Sequence, residues 1–138
     1  MNRTLRWIFA LTILLTAASL VSADDVTGSA DLLCSPAMAH ACRPEEGCAQ
    51  KTPWSLNVPM FIEVDLANKR LRTTEASGLN RATEINNLLR EEGLIILQGY
   101  QKGRAFSIVI TEETGFLTFS VSGDDEGAVI FGACTPKP

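Results

Sequence analysis

The stretch from Gly93 to Cys134 constrains the fold more than any other: it reads G-LIILQGY-QKG-RAFSIVI-TEETG-FLTFSVS-GDDEG-AVIFGAC. Four short runs rich in apolar, β-branched and aromatic residues are separated by three compact turn signals. This predicts an antiparallel meander over 94–101, 104–111, 116–122 and 128–134. The turns at Gln101-Lys102-Gly103, Glu113-Thr114-Gly115 and Gly123 to Gly127 are each expected to use a glycine at positive φ. Ile95, Leu97, Phe106, Ile108, Ile110, Leu117, Phe119, Val121, Val129 and Phe131 read as the inward set. Gln98, Tyr100, Ser107, Thr111, Thr118 and Ser120 read as the opposite, mostly polar face.

Upstream, Leu56 to Leu66 alternates over its whole length, with Leu56, Val58, Met60, Ile62, Val64 and Leu66 on one face. Period two over such a run predicts a strand with one buried face, bent at Pro59. Arg70 to Thr74 reads as its return strand after a turn at Ala67-Asn68-Lys69. Residues 82–91, ATEINNLLRE, fit a short helix as well as a strand: Ile85, Leu88 and Leu89 share a helical face, whereas a strand continues the alternation. Leu32 to Cys42 reads as a strand with a bulge at Pro36, and Arg43 to Pro53 as loop. The expectation is an all-β domain, a small antiparallel up-and-down barrel or closed meander of seven to eight strands. It is disulfide-tied, with room for one short helix. Closure would remove the exposed sheet edges.

The first 23 residues are set apart from this fold. Arg3 and Arg6 precede an uncharged apolar segment from Trp7 to Ala18, and Val21-Ser22-Ala23 is a small-residue cleavage site. That pattern is a secretory signal peptide. The run Trp7 to Ala23 is at the short end for a membrane anchor. The expected organisation is a signal peptide at 1–23, a flexible polar arm at 24–31 and a single β domain at 32–138. The location is periplasmic or secreted, with no membrane insertion after signal removal. Without Arg3 and Arg6 the chain carries 10 basic and 16 acidic side chains, a net charge of −6. An acidic surplus without a basic cluster argues against nucleic acid and anionic membranes as partners.

Four cysteines, Cys34, Cys42, Cys48 and Cys134, in an exported chain read as two disulfides. If strand 32–42 pairs antiparallel with strand 128–134, Cys34 falls near Cys134. That favours a Cys34–Cys134 bridge that ties the last strand to the first, and a Cys42–Cys48 clamp on a short loop. The other connectivities stay open at this point.

No constellation names a reaction. A hydrolytic triad needs a base, and the one histidine, His40, lies in an alanine-rich segment. No G-x-S-x-G and no C-x-x-C occur. Cys34, His40, Cys42 and Cys48 have x5, x1 and x5 spacing, which does not suit paired zinc ligands, and would leave Cys134 odd. Glu63 and Asp65 could pair as carboxylates, but outward alternation reads them as surface charges. Asp124-Asp125-Glu126 reads as a solvated turn. No catalytic residue, metal or cofactor is therefore assigned, and the chain is read as not an enzyme. The candidate partner-binding residues are Tyr100, Lys102 and Arg104 around one hairpin tip, types favoured at interfaces. Trp54 is a fourth candidate, with the alternative role of capping one end of the core.

At W-S-L-N-V-P-M-F-I-E-V-D-L, Leu97-Gln98-Gly99, Gly103-Arg104-Ala105-Phe106-Ser107 and Phe131-Gly132-Ala133-Cys134-Thr135-Pro136, the chain resembles an uncharacterised family of short exported proteobacterial proteins. That resemblance implies export and a compact domain, and no reaction. A looser, fold-level likeness is to small periplasmic lysozyme-inhibitor barrels, which are also disulfide-tied with a cysteine near each end. The expected function is a non-catalytic binding protein of the cell envelope, possessing an inhibitor-like form as one variant and monomeric, with a protein or envelope component as partner. The alternative is a small-ligand carrier of β-barrel type. An interior filled with Leu, Ile, Phe and Val favours the first.

Overall fold

The computed structural model describes residues 24–138; the signal-peptide expectation for residues 1–23 lies outside the described residues. The described chain is all-β, with ten antiparallel strands and two short 3-10 helices. The strands are β1 (Asp31–Arg43), β2 (Gly47–Lys51), β3 (Ile62–Asp65), β4 (Arg70–Thr73) and β5 (Ala82–Glu84). They continue with β6 (Asn87–Glu91), β7 (Leu94–Gln101), β8 (Arg104–Thr111), β9 (Phe116–Ser122) and β10 (Gly127–Pro136). Nine of them form one curled sheet in the order β5-β4-β3-β1-β10-β9-β8-β7-β6, and β2 pairs with β1 off that path. The sheet is a half-barrel. Its terminal strands, β5 and β6, are consecutive in the chain, and the link between them is held on both sides. Ile85 N donates to Lys69 O at 2.9 Å and Asn86 N donates to Gln98 O at 2.9 Å.

The long first strand organises the sheet. Along one edge β1 pairs with β10 over nearly its whole length. Along the other it serves two partners in turn, β3 over Asp31 to Cys34 and β2 over Ala39 to Arg43. Pro36 sits in the gap between those partners, where β1 has a neighbour on one side only, so its missing N–H breaks no ladder. A bulge falls there, between Pro36 and Met38. Gly132 stands opposite Pro36, and a Cβ at Gly132 would collide with the Ser35 carbonyl and Pro36 Cα. Cys34 and Cys134 face each other in register and are bonded, as are Cys42 and Cys48 of the β1–β2 hairpin.

The core is built from cross-strand rows. One row runs Leu88, Leu97, Ile108, Phe119, Ile130 and Ala39 across β6, β7, β8, β9, β10 and β1. Leu97, Ile108 and Ile130 in it are fully buried. The next row toward the β7–β8 turn is Gly99, Phe106, Val121, Ala128 and Ala41. It holds only two large side chains, so the barrel is filled at its middle and thin at that end. The opposite end is closed by residues 24–30. Although that segment reads as polar, Val26 in it is fully buried and donates its N–H to Glu112 O at 2.7 Å.

Several expectations are corrected. Residues 56–66 are not one strand. Pro53–Leu56 is a 3-10 helix, Asn57 closes it at φ 62° and pairing begins only at Ile62. Leu56, Val58, Ile62 and Val64 are buried as the alternation requires, but Met60 is exposed. A left-handed residue followed by Pro59, which has no N–H, cannot carry a ladder through. Gly47–Lys51 in the expected loop is a strand, and of the two alternatives left open for residues 82–91 it is the extended one that forms, as two short strands. Among the meander turns, the expected positive φ is found at Gly103 and Gly115 but not at Gly123 or Gly127. Val129 (39% exposed) and Phe131 (42%) face outward, while Ala128 and Ile130 point in. Phe131 joins Met38, Val109, Ile96 and Leu89 in a row along the outer face, so that face is less polar than its composition in serine and threonine implies.

Candidate functional site

The thin end of the barrel carries a pocket of about 70 Å³. Its apolar wall comes from Val58, Pro59, Ile62, Leu71, Phe106, Phe119 and Val121. Phe106 and Phe119 meet edge to face, with ring centroids 6.2 Å apart. Gly99 makes this possible. It lies opposite Phe106 across the β7–β8 ladder, and a Cβ there would overlap the Phe106 ring and approach Glu84 O at 2.8 Å. Phe119 is flanked across the sheet by the fully buried Ile108 and Ile130, neither of which lines the pocket.

The charged part of the lining is cationic. Arg72, Arg81 and Arg104 all line the pocket, and no carboxylate does. Arg72 is neutralised by Asp65, with Nη2 to Oδ2 at 3.2 Å. The Asp65 carboxylate also accepts from the side chain and backbone N–H of Asn68, both at 2.8 Å. These bonds, led by the Asn68 side chain, hold the Asp65 carboxyl below the usual carboxylate range, with Arg72 and Arg70 adding to the effect. Asp65 is thus buried at the turn after β3, not outward as the alternation implied, and Glu63 pairs with Lys137 at 2.9 Å.

Arg81 and Arg104 differ from Arg72. Neither meets a carboxylate among the described residues. Each donates instead to main-chain carbonyls at the end of the 3-10 helix. Arg104 Nη1 reaches Leu56 O at 3.0 Å, and Arg81 Nη1 reaches Asn57 O and Oδ1, both at 3.2 Å. Two guanidinium groups from separate hairpins therefore meet at consecutive carbonyls. The Arg104 stem lies over Gly123, where an added Cβ would stand 3.3 Å from its Cγ.

The four candidate binding residues are placed around this end. Arg104 lines the pocket. Tyr100 and Lys102 belong to the same hairpin, with Lys102 and Gly103 both at positive φ and the Tyr100 hydroxyl accepting from Gly103 N at 3.0 Å. Trp54 lies in the 3-10 helix whose Leu56 carbonyl holds Arg104. Its ring is 56% exposed, and the core is capped there by the buried Pro53 and Leu56, not by Trp54. Arg81 was missed because the loop 75–81 has no periodicity. With Glu84 three residues on, the sequence offered no signal that Arg81 lacks a carboxylate partner.

Exposed apolar side chains neighbour the lining residues along the chain. Trp54, Met60, Phe61, Leu79 and Tyr100 are exposed, and each lies within three residues of a lining position. All four sulfurs are consumed in disulfides, and His40 sits on β1 between Val129 and Gln50. No helix among the described residues is long and apolar enough to cross a membrane. Compared with protein-family models, curated proteins and solved structures, the chain matches none.

Proposed function

We propose that this is a non-catalytic binding protein of the cell envelope, acting in the periplasm or outside the cell, that recognises a protein partner through the thin end of its barrel. The observation that carries this reading is the pocket mouth: two lining arginines without a carboxylate partner among the described residues, with exposed Trp54, Met60, Phe61, Leu79 and Tyr100 close to lining positions along the chain, on a chain whose surplus is acidic. Tryptophan, tyrosine and arginine around a small pocket are the composition of a protein-binding hot spot. The disulfides suit an oxidising compartment, and with the segment 1–23 they support export. The carrier reading is weakened by size, since ligand sites usually enclose roughly 300–1,000 Å³.

The test is retention of envelope proteins by the exported, immobilised protein. Wild type and Lys51→Gln, a change on the exposed β2, are expected to retain the same protein, and the double variant Arg81→Gln/Arg104→Gln to lose it. Equal retention by all three, or none by any, overturns the reading. Inhibition of a lysozyme is assayed alongside, because the fold-level likeness raises an inhibitor-like role.

A further inference from the structure

We infer that the pocket captures the C-terminus of a partner protein, taking an aliphatic last side chain against Phe106 and Phe119 and the free α-carboxylate between Arg81 and Arg104. This rests on the binding-protein reading and names its ligand. The first argument is placement of charge. The two guanidinium groups are anchored on consecutive carbonyls, Leu56 O and Asn57 O, and consecutive Cα atoms are only about 3.8 Å apart. Each anchor uses one nitrogen of a group that has five N–H donors, so both arginines keep donors for a carboxylate. Two half-buried guanidinium groups without a carboxylate partner among the described residues favour one anion between them, and a planar carboxylate matches the guanidinium fork.

The second argument is distance between charge and apolar surface. Both arginines line the same small pocket as the phenylalanines. A ligand must therefore present its anion and its apolar group from nearly the same atom. A C-terminal residue does this, since its carboxylate and side chain share one Cα. The third argument is size. A volume of about 70 Å³ is small beside ligand sites of roughly 300–1,000 Å³, which suits one aliphatic side chain and not an acyl tail. Thr83 and Gln101 line the rim and have no side-chain hydrogen bond among the described residues, which leaves them for the terminal peptide group.

The probe is N-acetylleucine, the smallest mimic of such a terminus, titrated into the exported 15N-labelled protein. A ligand of this size is expected to bind with a dissociation constant in the millimolar range. Shifts should concentrate on Thr73, Thr83, Gln101 and Phe106. N-acetylleucinamide should be without effect, and Arg81→Gln or Arg104→Gln should weaken binding about tenfold or more. The same spectra report whether each variant is folded. No shift at tens of millimolar, equal binding of the amide, or equal binding of inorganic phosphate overturns the inference. Tighter binding of octanoate, with shifts at Ile108 and Ile130, overturns it in favour of a carrier. If the double arginine variant loses its envelope partner while N-acetylleucine does not bind, the binding-protein reading stands and the C-terminal ligand falls.

Discussion

Asp65 holds together the turn between β3 and β4. Its carboxylate takes two hydrogen bonds from Asn68 and an ion pair from Arg72, and it is buried. Because these contacts lower its pKa in the folded state, the stability they add is present at pH above the unfolded carboxylate value of about 3.9. It is lost as pH falls through the lower, folded value. Asp65→Asn is expected to cost about 1–2 kcal/mol near neutral pH. The difference from wild type should narrow as pH falls through the carboxylate range, measured as urea midpoints in a pH series. A constant difference at all pH values would mean that packing, not ionisation, makes Asp65 matter. At the same scale Gly99 was visible in sequence only as part of a Gln98-Gly99-Tyr100 run. Why a glycine stands there is decided across the ladder, by the Phe106 ring that lies on it.

Among the elements, the two disulfides make different demands. Cys34–Cys134 joins β1 to β10 across a separation of 100 residues, at positions that are buried and in register. The chain-entropy model gives a loop of that length on the order of 4–5 kcal/mol. Cys42–Cys48 spans 6 residues and pins β2, all of whose residues are exposed. For so short a loop the same model gives about 2 kcal/mol. Cys34→Ala/Cys134→Ala should therefore lower the unfolding midpoint of the whole domain more than Cys42→Ala/Cys48→Ala. The second pair should mainly raise amide exchange in β1 from Ala39 to Arg43 and in β2. An equal drop for both would show that strain or residual structure in the unfolded chain outweighs loop entropy. The four strands of the meander were legible from sequence because alternation and glycine turns agree there. The failure at 56–66 and the ambiguity at 82–91 are the places where they conflict: Asn57 takes a left-handed φ with no turn signal, and Ile85, Leu88 and Leu89 satisfy a helical face and a strand equally.

The molecule as a whole has one core, continuous from Val26 at one end to the Phe106–Phe119 pair at the other. Ile108 sits at its centre, fully buried and opposite Phe119, which lines the pocket. Ile108→Ala is expected to cost about 2–5 kcal/mol, read from denaturant unfolding. It should also deepen the pocket enough for octanoate to stabilise the variant and not the wild type. A loss under about 1 kcal/mol would mean that the barrel collapses around the site without leaving a cavity. The acidic surplus and the apolar alternation of the meander follow from the sequence alone, because they depend on residue type and on strands adjacent in the chain. The sequence favours a Cys34–Cys134 bridge but leaves the other pairings open; the register of β1 on β10, the first and last strands, decides it. The pocket is different. Leu56, Asn57, Arg81, Phe106 and Phe119 are spread over four separate parts of the chain, and only the curl of the sheet brings them to one end. Alternation tells which way a side chain faces, but it does not tell which distant turns will share a rim. That depends on the register of β1 with three partners at once, and register is settled only when the sheet is complete.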